Sequence, residues 1–133
     1  MKFSQALLIT FSLLFSTVIK AEEAGNPSYA YFALEPDIIT NYISTGKKLG
    51  YVRITADIMV ENAGDLANIE HHAPLIRDAI IEILGHQAEE DVKSLTGREQ
   101  IRQMCEEAVN DLLVQETGKK LVNKLLFTKY LYQ

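Results

Sequence analysis

The segment Leu121–Tyr132, LVNKLLFTKYLY, decides the fold. Read with a two-residue period, it is apolar on both sides: Leu121, Leu125, Phe127 and Leu131 alternate with Val122, Leu126, Tyr130 and Tyr132. Only Lys124 and Lys129 charge it. A strand at a sheet edge usually carries charges, a bulge or proline, and its wet face is polar. The segment is therefore expected either in the middle of a sheet, with both faces covered, or paired with a neighbouring subunit.

Working outward, residues 51–61 alternate cleanly. Val52, Ile54, Ala56, Ile58 and Val60 share one side, and Tyr51, Arg53, Thr55, Asp57 and Met59 the other. That pattern predicts a strand of an antiparallel sheet covered on one face. Before it, YAYFAL at 29–34 and DIITNYI at 37–43 read as a strand interrupted at Pro36, and STGKKLG at 44–50 as a loop.

Between these strands and the last one the period becomes helical. ENAGDL at 61–66 turns the chain, with Asp65 positioned to cap the next helix. Ile69, Ala73, Ile76, Ile80, Ile83 and Leu84 form one stripe, but Pro74 sits inside it. Proline lacks the donor of the preceding turn, which predicts a short helix to about His71, a break, and a second helix stopped by Gly85. AEEDVKSL at 88–95 reads as a short acidic helix or turn. TGRE at 96–99 reads as a capping box in which Thr96 and Glu99 satisfy each other's backbone donors. The helix after it is expected to bury Ile101, Met104, Cys105, Ala108, Leu112 and Leu113 and to end at Gly118. The sum is an α+β domain, a small antiparallel sheet of about three strands packed against two or three helices.

With 133 residues, 47% hydrophobic and 23% charged, the chain is expected to form one globular domain. Residues 1–21 read as an export signal, with Lys2 as the basic start, Ala6–Phe15 as the apolar stretch and cleavage after Ala21. The competing reading is a short N-terminal anchor, because Phe3–Ile19 carries no charge; Ser4, Gln5, Thr10, Ser12, Ser16 and Thr17 weaken it. Residues 22–28 are a polar linker, and residues 29–133 the domain. Cleavage removes Lys2 and Lys20, leaving 11 basic against 18 acidic side chains, a net charge of −7. Nucleic acid is not expected as a partner. A core of this size needs no metal or cofactor for stability, and none is expected.

Candidates for chemistry are few. His71, His72 and His86 are the only histidines, and adjacent helical side chains diverge by about 100°. No HExxH, CxxC, GxSxG or glycine-rich phosphate loop is present, and a metal site is not expected. Cys105 falls on an apolar stripe, as a packing residue rather than a nucleophile. A metal-dependent or thiol enzyme would need one of these groups, so no catalytic residue is expected. Arg77, beside Asp78 in PLIRDAIIEILG, flanks the buried stripe. Its fork has four possible fates: backbone carbonyls, a carboxylate on a neighbouring element, one on a neighbouring subunit, or solvent.

YFALEP at 31–36, HHAPLIRDAIIEILG at 71–85, LTGREQIRQM at 95–104 and LLFTKYLYQ at 125–133 together resemble the periplasmic domain of the flagellar basal body-associated FliL family. The order and spacing match over about residues 29–133. The resemblance implies a stomatin/prohibitin-like domain that forms homo-oligomeric rings around the flagellar stator and supports its active state. Flagellar stator and basal body proteins are the implied partners, with inner-membrane association through the N-terminus. Here the apolar run begins at Phe3 and a few residues separate it from the first strand, as in a soluble paralogue if it is cleaved. LEPDIITN at 34–41 is also one residue longer before Asn41 than the usual pattern. The residues carried forward as structural or partner-contact candidates are Pro74, Arg77, Asp78, Lys124, Phe127, Lys129 and Tyr130. Lys119, Lys120, Lys124 and Lys129 on one side, and Glu89, Glu90, Asp91, Glu106 and Glu107 on the other, offer charge complementarity between subunits. The alternative reading is a soluble periplasmic adaptor or binding module on the same domain.

Overall fold

A computed structural model describes residues 26–133. The expected signal or anchor at 1–21, and the start of the linker, lie outside the described residues. Strands β1 (Ala30–Tyr42) and β2 (Gly50–Val60) form a hairpin. A single 3₁₀ turn leads into helices α1 (Leu66–His71), α2 (Ala73–Gly85), α3 (Glu89–Lys93) and α4 (Leu95–Thr117), and β3 (Val122–Tyr132) returns antiparallel to β2. The class is α+β, and the sheet order is β1-β2-β3.

This order corrects the reading of the last strand. β2 is the centre and β3 an edge, so β3 does not lie in the middle of the sheet. Its register against β2 shifts twice, between the pairs Val60↔Val122 and Met59↔Lys124, and between Ala56↔Phe127 and Thr55↔Lys129. Each bulge inserts a residue and reverses the parity of the residues beyond it. Val122, Leu125, Phe127, Tyr130 and Tyr132 therefore all lie on the face that β2 turns inward through Val60, Ile58, Ala56, Ile54 and Val52. Lys124, Leu126, Lys129 and Leu131 lie on the other face. A strict two-residue period mixes the two sets, which is why the strand looked greasy on both sides.

The core sits between the inward sheet face and the helices. All five inward residues of β2 are fully buried, against Ile76, Ile80 and Leu84 of α2 and Ile101, Cys105, Val109 and Leu113 of α4. Each large aliphatic side chain so buried contributes about 1.5–3 kcal/mol.

Pro74 stands in the first turn of α2, after a break at His72, as its missing N–H requires. Four local expectations are corrected. Asp65 precedes α1 but makes no side-chain cap, and Gly85 is the last residue of α2, capped by His86 in a right-handed conformation. α4 starts two residues earlier than the capping box implied, because Ser94 accepts the Gly97 N–H at 2.9 Å. Glu99 then pairs with Arg102 instead of the cap. The buried stripe of α4 steps by four through Gly97, Ile101, Cys105, Val109 and Leu113, leaving Met104 39% exposed. Gly118 ends the helix with a left-handed φ of 77°, as expected.

Candidate functional site

The sheet face away from the helices is open, and its geometry begins with a bulge in β1. Leu34 pairs with Ala56 and Ile38 with Ile54, so three residues of β1 stand against one of β2. Glu35, Pro36 and Asp37 leave the ladder there, at a proline that has no N–H for it. The bulge throws the Asp37 carboxylate across the central strand. Its Oδ1 accepts from Thr55 Oγ1 at 2.6 Å, and its Oδ2 accepts from Arg53 Nε at 2.6 Å and Lys129 Nζ at 3.2 Å. One carboxylate thus ties all three strands together.

Arg77 holds the same bulge from α2. Its Nη1 donates to the Pro36 carbonyl at 2.6 Å and its Nη2 to the Asp37 carbonyl at 2.9 Å. Of the roles open to it from sequence, the fork binds consecutive backbone carbonyls, a fit to its planar geometry. The hydroxyl of Thr55, then Arg53 and then Lys129, hold the Asp37 carboxyl well below the usual carboxylate range.

Beside this polar knot lies an open groove of about 390 Å³ between Ile39, Tyr51 and Leu131, with Arg53 at its margin. Ile39 is 61% and Leu131 56% exposed. Ile43 and Leu49, at the same end of the sheet, are also exposed. A groove lined by aliphatic and aromatic groups, with its cation already paired, suits an apolar segment of a partner better than a charged ligand.

The seven residues singled out from sequence do not form one site. Arg77 and Lys129 converge on Asp37 and its bulge. Phe127 and Tyr130 face the core instead: Phe127 is buried, its ring 5.8 Å from that of Tyr130. The Tyr130 hydroxyl donates to the Val92 carbonyl at 2.7 Å, with the Arg98 guanidinium 4.8 Å from its ring centre. Burial pushes the Tyr130 phenol up to about 12. Pro74 and Asp78 are exposed on α2, and Lys124 on the open sheet face opposite Met59. Two of the acids proposed to meet a neighbouring subunit are engaged within the chain. Lys93 and Thr45 hold the Glu89 carboxyl down to about 2, and Glu106 binds Arg102 and the Leu125 N–H.

Asp37, Arg53 and Thr55 were missed as a group. The available signal was an aspartate directly after a strand proline, with an arginine and a threonine two apart on the wet face of the next strand.

The reactive residue types are placed as follows. His72 and His86 each donate Nδ1–H to the carbonyl four residues before, at 2.8 Å, capping their helices. Burial pushes the Cys105 thiol up to about 12, where little thiolate forms. Among the described residues, no group of three or more His, Cys, Asp or Glu side chains is placed to hold a metal ion. No helix among them is long and apolar enough to cross a membrane.

The family described as "Flagellar basal body-associated protein FliL" matches residues 31–133. The chain is also 30% identical over 115 residues to the flagellar protein FliL of Aquifex aeolicus (strain VF5), an alignment covering 86% of this chain and 68% of that protein.

Proposed function

The chain belongs to the FliL family of flagellar basal body-associated proteins, and from that premise we propose that it is a non-enzymatic accessory of the flagellar stator that supports swimming. The observation that carries this reading is the extent of the family match, which takes in all of the sheet but Ala30 and all four helices. The proposal places the domain in the periplasm, exported by residues 1–21 whether these are cleaved or kept as an anchor. It also has the domain work as a homo-oligomer. The groove between Ile39, Tyr51 and Leu131 supplies a surface for a stator or neighbouring-subunit segment, and the Asp37 knot keeps the three strands beneath it in register.

Deletion of the gene, followed by swimming in soft agar and in viscous medium, tests the role. A defect that deepens with load is expected. Unchanged motility at every viscosity would leave the adaptor reading instead. Intact mass of the protein from the periplasmic fraction separates the two N-terminal states, a mass beginning at Glu22 meaning cleavage.

A further inference from the structure

Asn110 is the one buried polar side chain among the described residues, 6% exposed on a helix face otherwise given to aliphatics. Its position is explained by the backbone opposite. Asn110 Nδ2 donates to the Val122 carbonyl at 3.1 Å, and its Oδ1 accepts the Val122 N–H at 3.0 Å. One turn back, Glu106 Oε2 accepts the Leu125 N–H at 3.0 Å, and one turn before that Arg102 Nη1 donates to the Leu125 carbonyl at 2.9 Å. One turn further back, Arg98 Nη2 donates to the Phe127 carbonyl at 3.2 Å. Glu106 and Arg102 also pair with each other at 2.7 Å, which fixes both.

These backbone groups point away from β2, because alternate residues of an antiparallel strand bond to alternate sides. They are the groups a further strand would use. The spacing is close to commensurate. Four helical residues rise about 6.0 Å and two strand residues about 6.7 Å, so side chains four apart on α4 keep pace with β3 from Phe127 to Val122, Arg102 and Glu106 sharing the two backbone groups of Leu125. The bulge after Val122 supplies the odd residue between Val122 and Leu125. The side chains shorten in the order Arg, Arg, Glu, Asn toward the turn at Gly118 that leads into β3, where helix and strand must converge.

We propose that Arg98, Arg102, Glu106 and Asn110 act as a surrogate strand that closes the β3 edge over Val122–Phe127 against pairing with a second copy of this chain. The stretch that sequence alone offered to a neighbouring subunit is taken by the chain's own helix. Natural edges are commonly blunted by charges or bulges on the strand itself. Here the blocking groups come from the helix packed beside it.

The test uses the full-length protein with Glu106→Ala and Asn110→Ala combined, read by hydrogen exchange at the Val122 and Leu125 amides and by light-scattering mass over a range of concentrations. Exchange at both amides about tenfold faster than in the wild type, with a mass that grows with concentration above the wild-type value, is expected. Glu106→Gln keeps an acceptor for Leu125 and is expected to hold the wild-type mass. Leu113→Ala loosens the core without touching the ladder; equal association by that variant would mean general instability and overturn the proposal. So would opened amides with wild-type mass. Should the double variant fail to fold, Asn110→Ala alone, which retains the Arg102–Glu106 pair, is read by the same two measurements: faster exchange at Val122 with a growing mass supports the proposal, and faster exchange with wild-type mass overturns it.

Discussion

Asp37 and Lys129, 92 residues apart in the chain, meet at 3.2 Å across the central strand. The contact exists because a bulge in β1 and a bulge in β3 both turn their polar residue toward Thr55 and Arg53. It makes the two outer strands answer to one carboxylate.

The first expected outcome concerns pH. The Asp37 carboxyl is held below its ordinary value of 3.8, so the folded chain binds that proton more weakly than the unfolded chain does. Its contribution is present in full above the unfolded value and is lost as pH falls through the folded one. Asp37→Asn should lower the melting temperature at pH 7, and the gap to the wild type should narrow progressively below pH 3.8. Added salt should narrow it too, since the cluster is open to solvent. Melting curves at several pH values check this; a gap that ignores pH would mean the carboxylate charge is irrelevant to the bulge.

The Arg77 fork spans two consecutive carbonyls, which a single ammonium cannot do with the same geometry. Arg77→Lys should reduce stability by about 0.5–1.5 kcal/mol, the worth of one lost hydrogen bond. Urea denaturation would show a lower midpoint with an unchanged slope.

Gly97 lies where α4 crosses the end of α3. A Cβ there would stand 2.0 Å from the Asp91 carbonyl oxygen, so the two helices would have to part. Alanine is the better helix former, but the overlap should dominate, and Gly97→Ala should cost about 1–3 kcal/mol in thermal unfolding. Gly64→Ala, with open space around the added carbon, is the control and should change little.

Ile39→Glu with Leu131→Glu tests the groove. Both side chains are exposed, so the fold should keep its stability to within about 0.5 kcal/mol per site. Swimming under load should fall toward that of the deletion strain. Circular dichroism melts alongside swimming in viscous medium separate the two effects, and normal swimming would remove this groove from the motor contact.

Much of the fold was legible because it rests on local rules. The alternation from Tyr51 to Val60, the Pro74 break between two helices and the left-handed Gly118 all follow from period, a missing N–H and a missing Cβ. Met104 and the capping box went astray for separate reasons: the buried stripe steps by four through Ile101, Cys105, Val109 and Leu113 and leaves Met104 beside it, and Ser94 takes the cap two residues before Thr96. Of the site, Arg77 was legible as a fork beside a buried stripe. Asp37 was not, since nothing local says where a bulge will send its carboxylate.

The amino-acid order by itself determined which segments become strands and helices and, for β2 and α2, which face is apolar, because those depend on spacing along the chain. Only the tertiary structure decided that β3 is an edge, that its two bulges sort Lys124, Leu126, Lys129 and Leu131 onto one face, and that Asn110 and Glu106 occupy its backbone groups. Strand order and register are settled by pairing between residues far apart in sequence. A single inserted residue reverses every side chain beyond it, and no periodicity within one segment records that event.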